Sequence, residues 1–63
     1  MRIDRVKLIT LLAEREIKQI ELAQMAKVSR ATISSVICGK SVAFETAQKI
    51  STALGVEPEE LAQ

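Results

Sequence analysis

The sequence predicts an all-α domain of five short helices, and three observations lead there. Apolar residues recur at three- and four-residue spacing, and no stretch alternates apolar with polar as a half-buried strand would. The strong punctuators are Gly39, Gly55 and Pro58, each placed where a helix should stop or start. The chain has 63 residues without repeats or low-complexity stretches, which fits one domain over 1–63. A chain of this size buries only about 60% of its unfolded surface, so little of its apolar content is dispensable.

The first helix is expected over roughly Asp4 to Arg15. Asp4 can cap the free N–H groups, and Leu8, Ile9, Leu11 and Leu12 form the inward stripe. Ile17 follows in the connection and should plug the core. The second helix covers about Gln19 to Ala26 with Leu22, Ala23 and Ala26 inward, the small Ala23 allowing a neighbouring helix to approach closely. Lys27-Val28 makes the turn, with Val28 buried. A third helix starts after the N-cap Ser29 and closes at Gly39, a residue suited to the left-handed C′ position; Ile33, Val36 and Ile37 face the core. The fourth runs from Phe44 to Leu54, with Phe44, Ala47, Ile50, Ala53 and Leu54 inward, and Gly55 ends it. Pro58 sits at the first position of a last short helix carrying Leu61, its acidic residues well placed for the dipole.

Composition removes several function classes. One cysteine, Cys38, cannot form an internal disulfide, and with no histidine there is neither a zinc knuckle nor a His-based active site. No paired carboxylates share a face and no glycine-rich loop is present, so an enzyme is not expected, nor any cofactor, metal or small-molecule ligand. Phe44 is the single aromatic residue, too few for a stacking platform on single-stranded nucleic acid. The basic start and the apolar run Leu8–Ala13 resemble a signal peptide, but Glu14-Arg15-Glu16 follow at once without a small-residue cleavage site. With no membrane segment and an unpaired thiol, the expected location is the cytoplasm.

Charge is unevenly spread. Residues 1–49 carry all 9 basic side chains, whereas 50–63 carry Glu57, Glu59, Glu60 and no basic residue. A basic end opposite an acidic one suits a protein that turns one face to a polyanion; in so short a chain, chance produces the same picture. The third helix is unusual as well. A solvated helix face normally carries Lys and Glu, but here it reads Ala31, Thr32, Ser34 and Ser35, with Arg30 the only charge. Short neutral side chains let a helix lie close against another surface, and Arg30 offers a forked donor at its start, as a major-groove recognition helix requires. An accidentally polar face accounts for this feature equally well.

The segment from Gln19 to Lys40 adds a more specific signal. Gln19, Leu22-Ala23, Val28, Ser29, Ile33 and Gly39-Lys40 resemble, in type and spacing, the helix-turn-helix of the phage repressor and Cro (Xre-like) family. Leu54-Gly55-Val56 followed by Glu60-Leu61 resembles that family's fourth and fifth helices, so the likeness spans roughly Val6 to Ala62. It implies a compact five-helix, lambda-repressor-like domain with the helix-turn-helix at about 19–38. It further implies a regulator, a repressor by type, that binds double-stranded DNA as a homodimer on a palindromic operator. Gln19 matches the family position that bonds a phosphate. Ser29, Arg30 and Ala31 match the start of the recognition helix, Ser34 and Ser35 the positions one turn on, and Lys40 the basic residue on the backbone. Bottom-up roles agree: Arg30 can fork onto guanine O6 and N7, Ala31 can touch a thymine methyl, and Thr32 and Ser35 can bond bases or phosphates. Against these stand plainer roles: Gln19 as a helix cap, Arg30 on phosphate alone, and Lys40 as a solvated charge.

The sequence also departs from the family. Where many members pair an arginine of the first helix with a glutamate late in the third, this chain has Leu12 and Ile37, which predicts an apolar contact in place of an ion pair. Cys38 stands where an asparagine is usual, next to the expected phosphate backbone; an oxidised thiol there would obstruct docking. The loop Lys40–Ala43 is short of basic residues, implying few phosphate contacts and a shallow salt dependence. Two other readings use the same fold: an antitoxin-type DNA-binding protein with a protein partner, and an interaction module that has lost DNA binding.

Overall fold

A computed structural model describes all of Met1–Gln63 and contains five helices: α1 (Arg5–Glu14), α2 (Gln19–Ala26), α3 (Arg30–Ile37), α4 (Phe44–Leu54) and α5 (Pro58–Leu61). There is no strand, only one antiparallel bridge between Ile3 and Ala62. Four of the five starts are capped by a side chain; α4, which follows Ala43, is not. The Asp4 carboxylate accepts from the N–H groups of Val6 (3.0 Å) and Lys7 (3.2 Å), and the Ser29 hydroxyl accepts from Thr32 N–H (3.1 Å). At α2 and α5 a glutamate reaches back instead: Glu21 accepts from Lys18 N–H at 3.0 Å and Glu60 from Glu57 N–H at 2.8 Å.

The four long helices end in one way. A backbone N–H two or three residues beyond the helical end returns to a carbonyl five residues earlier: Ile17 to Leu12 (2.9 Å), Val28 to Ala23 (3.0 Å), Lys40 to Ser35 (3.0 Å) and Val56 to Ser51 (3.0 Å). This is the Schellman stop, and the residue inside it is left-handed. Gly39 (φ 87°) and Gly55 (φ 70°) occupy two such positions, but Glu16 (φ 55°) and Lys27 (φ 57°) occupy the others. The residue after the reversal turns back toward the core: Ile17, Val28 and Val56 are partly buried and pack against it.

That core joins all five helices and the N-terminal segment. It comprises Ile3, Leu8, Leu12, Leu22, Ala23, Ala26, Ile33, Val36, Ala47, Ile50, Leu54 and Leu61. Helix α2 lies in the middle, packed on both α3 and α4, and its buried Ala23 and Ala26 permit the close approach. Leu12 is buried and Ile37 packs against the cluster that contains it, in line with an apolar junction of α1 and α3. Ser51 is the one buried polar residue, and its hydroxyl donates to the Gln48 carbonyl at 2.9 Å.

Two expected core residues lie outside it. Ile9 is 46% exposed, because Leu8 and Leu12, four residues apart, define the buried line of α1 and Ile9 turns to the outer face. Phe44 is 58% exposed, since the buried positions of α4 begin at Ala47 and its first turn projects past the core. The first helix also stops one residue earlier than expected. Arg15 follows α1, and its guanidinium donates to the Leu54 carbonyl in the last turn of α4.

The N-terminal segment is the other unforeseen element. Ile3 is buried, and Asp4 N–H donates to the Leu61 carbonyl at 2.7 Å while Gln63 N–H donates to the Arg2 carbonyl at 3.2 Å. Met1 exchanges backbone bonds with Val42, at 2.8 and 2.9 Å. Residues 1–4 thus clasp the α3–α4 loop on one side and the end of α5 on the other.

A lysine held left-handed costs about 1–2 kcal/mol relative to an ordinary conformation, a cost glycine avoids. Lys27→Gly is therefore expected to raise the unfolding free energy by about 1 kcal/mol, read from the midpoint of urea denaturation. Leu12→Arg, which buries an unpaired charge, should lower it by about 3–5 kcal/mol; an unchanged midpoint would refute the apolar junction.

Candidate nucleic-acid interface

Gln19 and Arg30 each occupy the first position of their helix, α2 and α3, and both are exposed. The tight turn at Lys27-Val28 brings these two helix starts together. Gln19, Arg30 and Ser34 line one small cleft of about 80 Å³, floored by Ile20 and the buried Ile33. A carboxamide, a guanidinium and a hydroxyl therefore share one outward-facing rim. Because Glu21 closes the start of α2, the Gln19 side chain is not the cap of that helix.

The other expected contact residues divide by commitment. Ala31 and Ser34 are exposed on α3, while Ser35 is half-buried. Ser29 and Thr32 hold each other, their hydroxyl oxygens 2.8 Å apart, while the Ser29 oxygen also accepts the Thr32 amide. One hydroxyl proton is used in that bond, leaving one O–H free to donate, so the pair acts as a single donor toward any partner. Lys40 is exposed immediately after the left-handed Gly39, at the far end of α3 from Arg30. The basic groups thus bracket the helix: Arg30 at its start, Lys40 just beyond its end, and short neutral side chains between. Cys38 is exposed on the same terminal turn.

Sequence reasoning missed two features of this surface. Phe44, a core position by its spacing, is exposed four residues from Lys40. The loop beside Lys40 is also braced from outside: Ser41 Oγ lies 3.3 Å from the Met1 carbonyl, adding to the Met1–Val42 backbone pair. The clue to the brace was Ile3 before the cap Asp4 and Leu8 after it, the spacing of a hydrophobic staple. Both residues are buried.

A short helix, a tight turn and a second helix with an exposed, small-residue face define a helix-turn-helix DNA-binding protein. The comparison with family models agrees: the Cro/C1-type HTH DNA-binding domain matches residues 7–63, and the chain belongs to that family. No curated protein and no solved structure gives a significant match. Residues 1–4, which form the clasp, precede the matched span. No helix is long and apolar enough to cross a membrane.

The Ser29 bonds separate structural from surface roles. Ser29→Ala removes the α3 cap and should lower stability by about 0.5–2 kcal/mol. Ser34→Ala, at an exposed position without such a bond, should stay within about 0.5 kcal/mol of the parent. Thermal denaturation of the two variants side by side checks the difference.

Proposed function

We propose that the protein is a small transcriptional regulator, acting as a repressor, that reads duplex DNA by laying α3 in the major groove as one half of a homodimer on a palindromic operator. The observation that carries this reading is the shared rim of Gln19, Arg30 and Ser34 at the joined starts of α2 and α3. On DNA, Gln19 bonds a phosphate and fixes the angle at which α3 enters. Arg30 forks onto guanine O6 and N7. Ala31 leaves room for a thymine methyl, and Ser34 and Ser35 reach base edges or phosphates one turn on. The Ser29–Thr32 pair gives one O–H to a phosphate or base acceptor, and Lys40 contacts the backbone beyond the helix. The protein works in the cytoplasm, where its operator is accessible, and needs no cofactor for this task.

Few positive charges accompany α3, so affinity per copy is modest and two copies are needed for a long-lived complex. Repression follows from occupancy alone, because a bound dimer obstructs whatever else must use that stretch of DNA.

Selection from a random duplex pool at moderate salt tests the reading. The expected result is a two-fold symmetric motif with half-sites about one helical turn apart. Arg30→Ala should relax preference at one base pair of each half-site, at a cost of about 1–3 kcal/mol, whereas Lys40→Ala should weaken all sequences alike and reduce the salt slope by about 1. Absence of enrichment at every salt concentration would leave a protein-interaction module on a retained fold.

A further inference from the structure

We infer that the groove between α1 and α2 receives an acidic amphipathic helix of a partner protein, and that this docking and DNA binding exclude one another. The exclusion rests on the reading above, in which Gln19 seats α3 on DNA; the groove itself does not. It is a depression of about 490 Å³ with an apolar lining of Ile9, Leu12, Ala13, Ile17 and Ile20. A surface helix normally turns polar residues to water, yet Ile9 is 46% and Ile20 42% exposed along this groove. A chain of 63 residues has few large apolar side chains to spare from its core. Contact with charged phosphates gives neither isoleucine a use. An apolar surface left open beside a polar site suits a protein helix laid into a groove.

The groove is continuous with the DNA-reading rim. Gln19 and Ile20 line it, and the same two residues line the small cleft that holds Arg30 and Ser34. The two depressions therefore form one surface, apolar on the α1 side and cationic at the start of α3. Lys18 borders the first and Arg30 the second, and no carboxylate lines either. Glu21, the acidic residue next to Ile20 in the chain, is engaged in accepting from Lys18 N–H at 3.0 Å. These charges select the occupant: an apolar edge enters the groove, and Asp or Glu on its flank reach Lys18 and Arg30. A carboxylate on Arg30 takes the forked bonds that a guanine edge takes in DNA. A helix seated there also covers Gln19, so partner and operator compete for the same side chains. The partner is thus an antagonist of DNA binding.

Selection against the full chain from a displayed library of helical peptides, randomised on one face and its flanks, tests the groove without DNA. Enriched peptides should carry Leu, Ile or Met at helical spacing with Asp or Glu beside them. Ile9→Gln, with the melting temperature as folding control, should weaken their binding roughly tenfold. The same variant should leave binding of a labelled mixed-sequence duplex unchanged. Lys18→Gln should weaken peptide binding more at low salt than at high. In competition the selected peptide should displace the labelled duplex. No enrichment, enrichment that Ile9→Gln leaves intact, or a duplex that stays bound beside the peptide overturns the inference. Self-association of the chain that Ile9→Gln abolishes also overturns it, since a second copy then fills the groove. Peptide binding with this signature in a chain that binds no duplex would remove the DNA reading and sustain the groove as the partner's seat.

Discussion

Everything in this fold depends on how its helices stop. A chain of 63 residues that makes four helices of eight or more must reverse direction within a few residues each time. It does so by taking one residue left-handed and returning a backbone N–H to the last turn. The reversal satisfies carbonyls that would otherwise face water or the core unpaired, and aims the next side chain inward. Ile17, Val28 and Val56 pack against the core in this way. Without the turn at Lys27, Val28 would leave the core and α3 would no longer present its start beside the start of α2. The interface is thus a consequence of backbone geometry before any DNA-contacting side chain is considered.

The second condition is smallness in the right places. Ala23, Ala26 and Ala47 are buried where α2 meets its neighbours, so the helices approach closely and the apolar mass can come from few large residues. The exposed face of α3 uses small residues for the opposite purpose, leaving its backbone approachable. Arg30 and Lys40 then stand out as the long cationic side chains at the two ends of an otherwise short-cropped helix.

Much of this was legible in the sequence because its signals are local. Asp4 and Ser29 announce their caps, Gly39 and Gly55 their stops, and Leu22–Ala26 and Ile33–Val36 keep helical spacing over the turn between them. The proximity of Gln19, Arg30 and Ser34 follows once that turn is accepted. Other features were not local. Glu16 and Lys27 carry no glycine signal because tertiary packing imposes their conformation. Ile9 and Phe44 are as apolar as their buried neighbours, and only the positions of other helices decide that they face outward. Arg15 reaches a carbonyl 39 residues away, which no spacing rule can show. Nor does composition tell that the hydroxyls of Ser29 and Thr32 are bonded to each other.

The clasp of residues 1–4 gives an otherwise local molecule its longest-range closure. Helix pairs such as α2 and α3 form within a short stretch of chain, and their loop-closure entropy is small. Bringing Met1 to Val42 and Ile3 to Ala62 closes loops that span much of the chain, and that cost grows with loop length. Closing the clasp therefore costs more chain entropy than forming the helix-turn-helix, and buried Ile3 and the backbone bonds of Met1 and Asp4 offset that cost. The loop beside Lys40 is thus held from the opposite end of the chain, so the order of this edge rests on residues outside the helix-turn-helix itself.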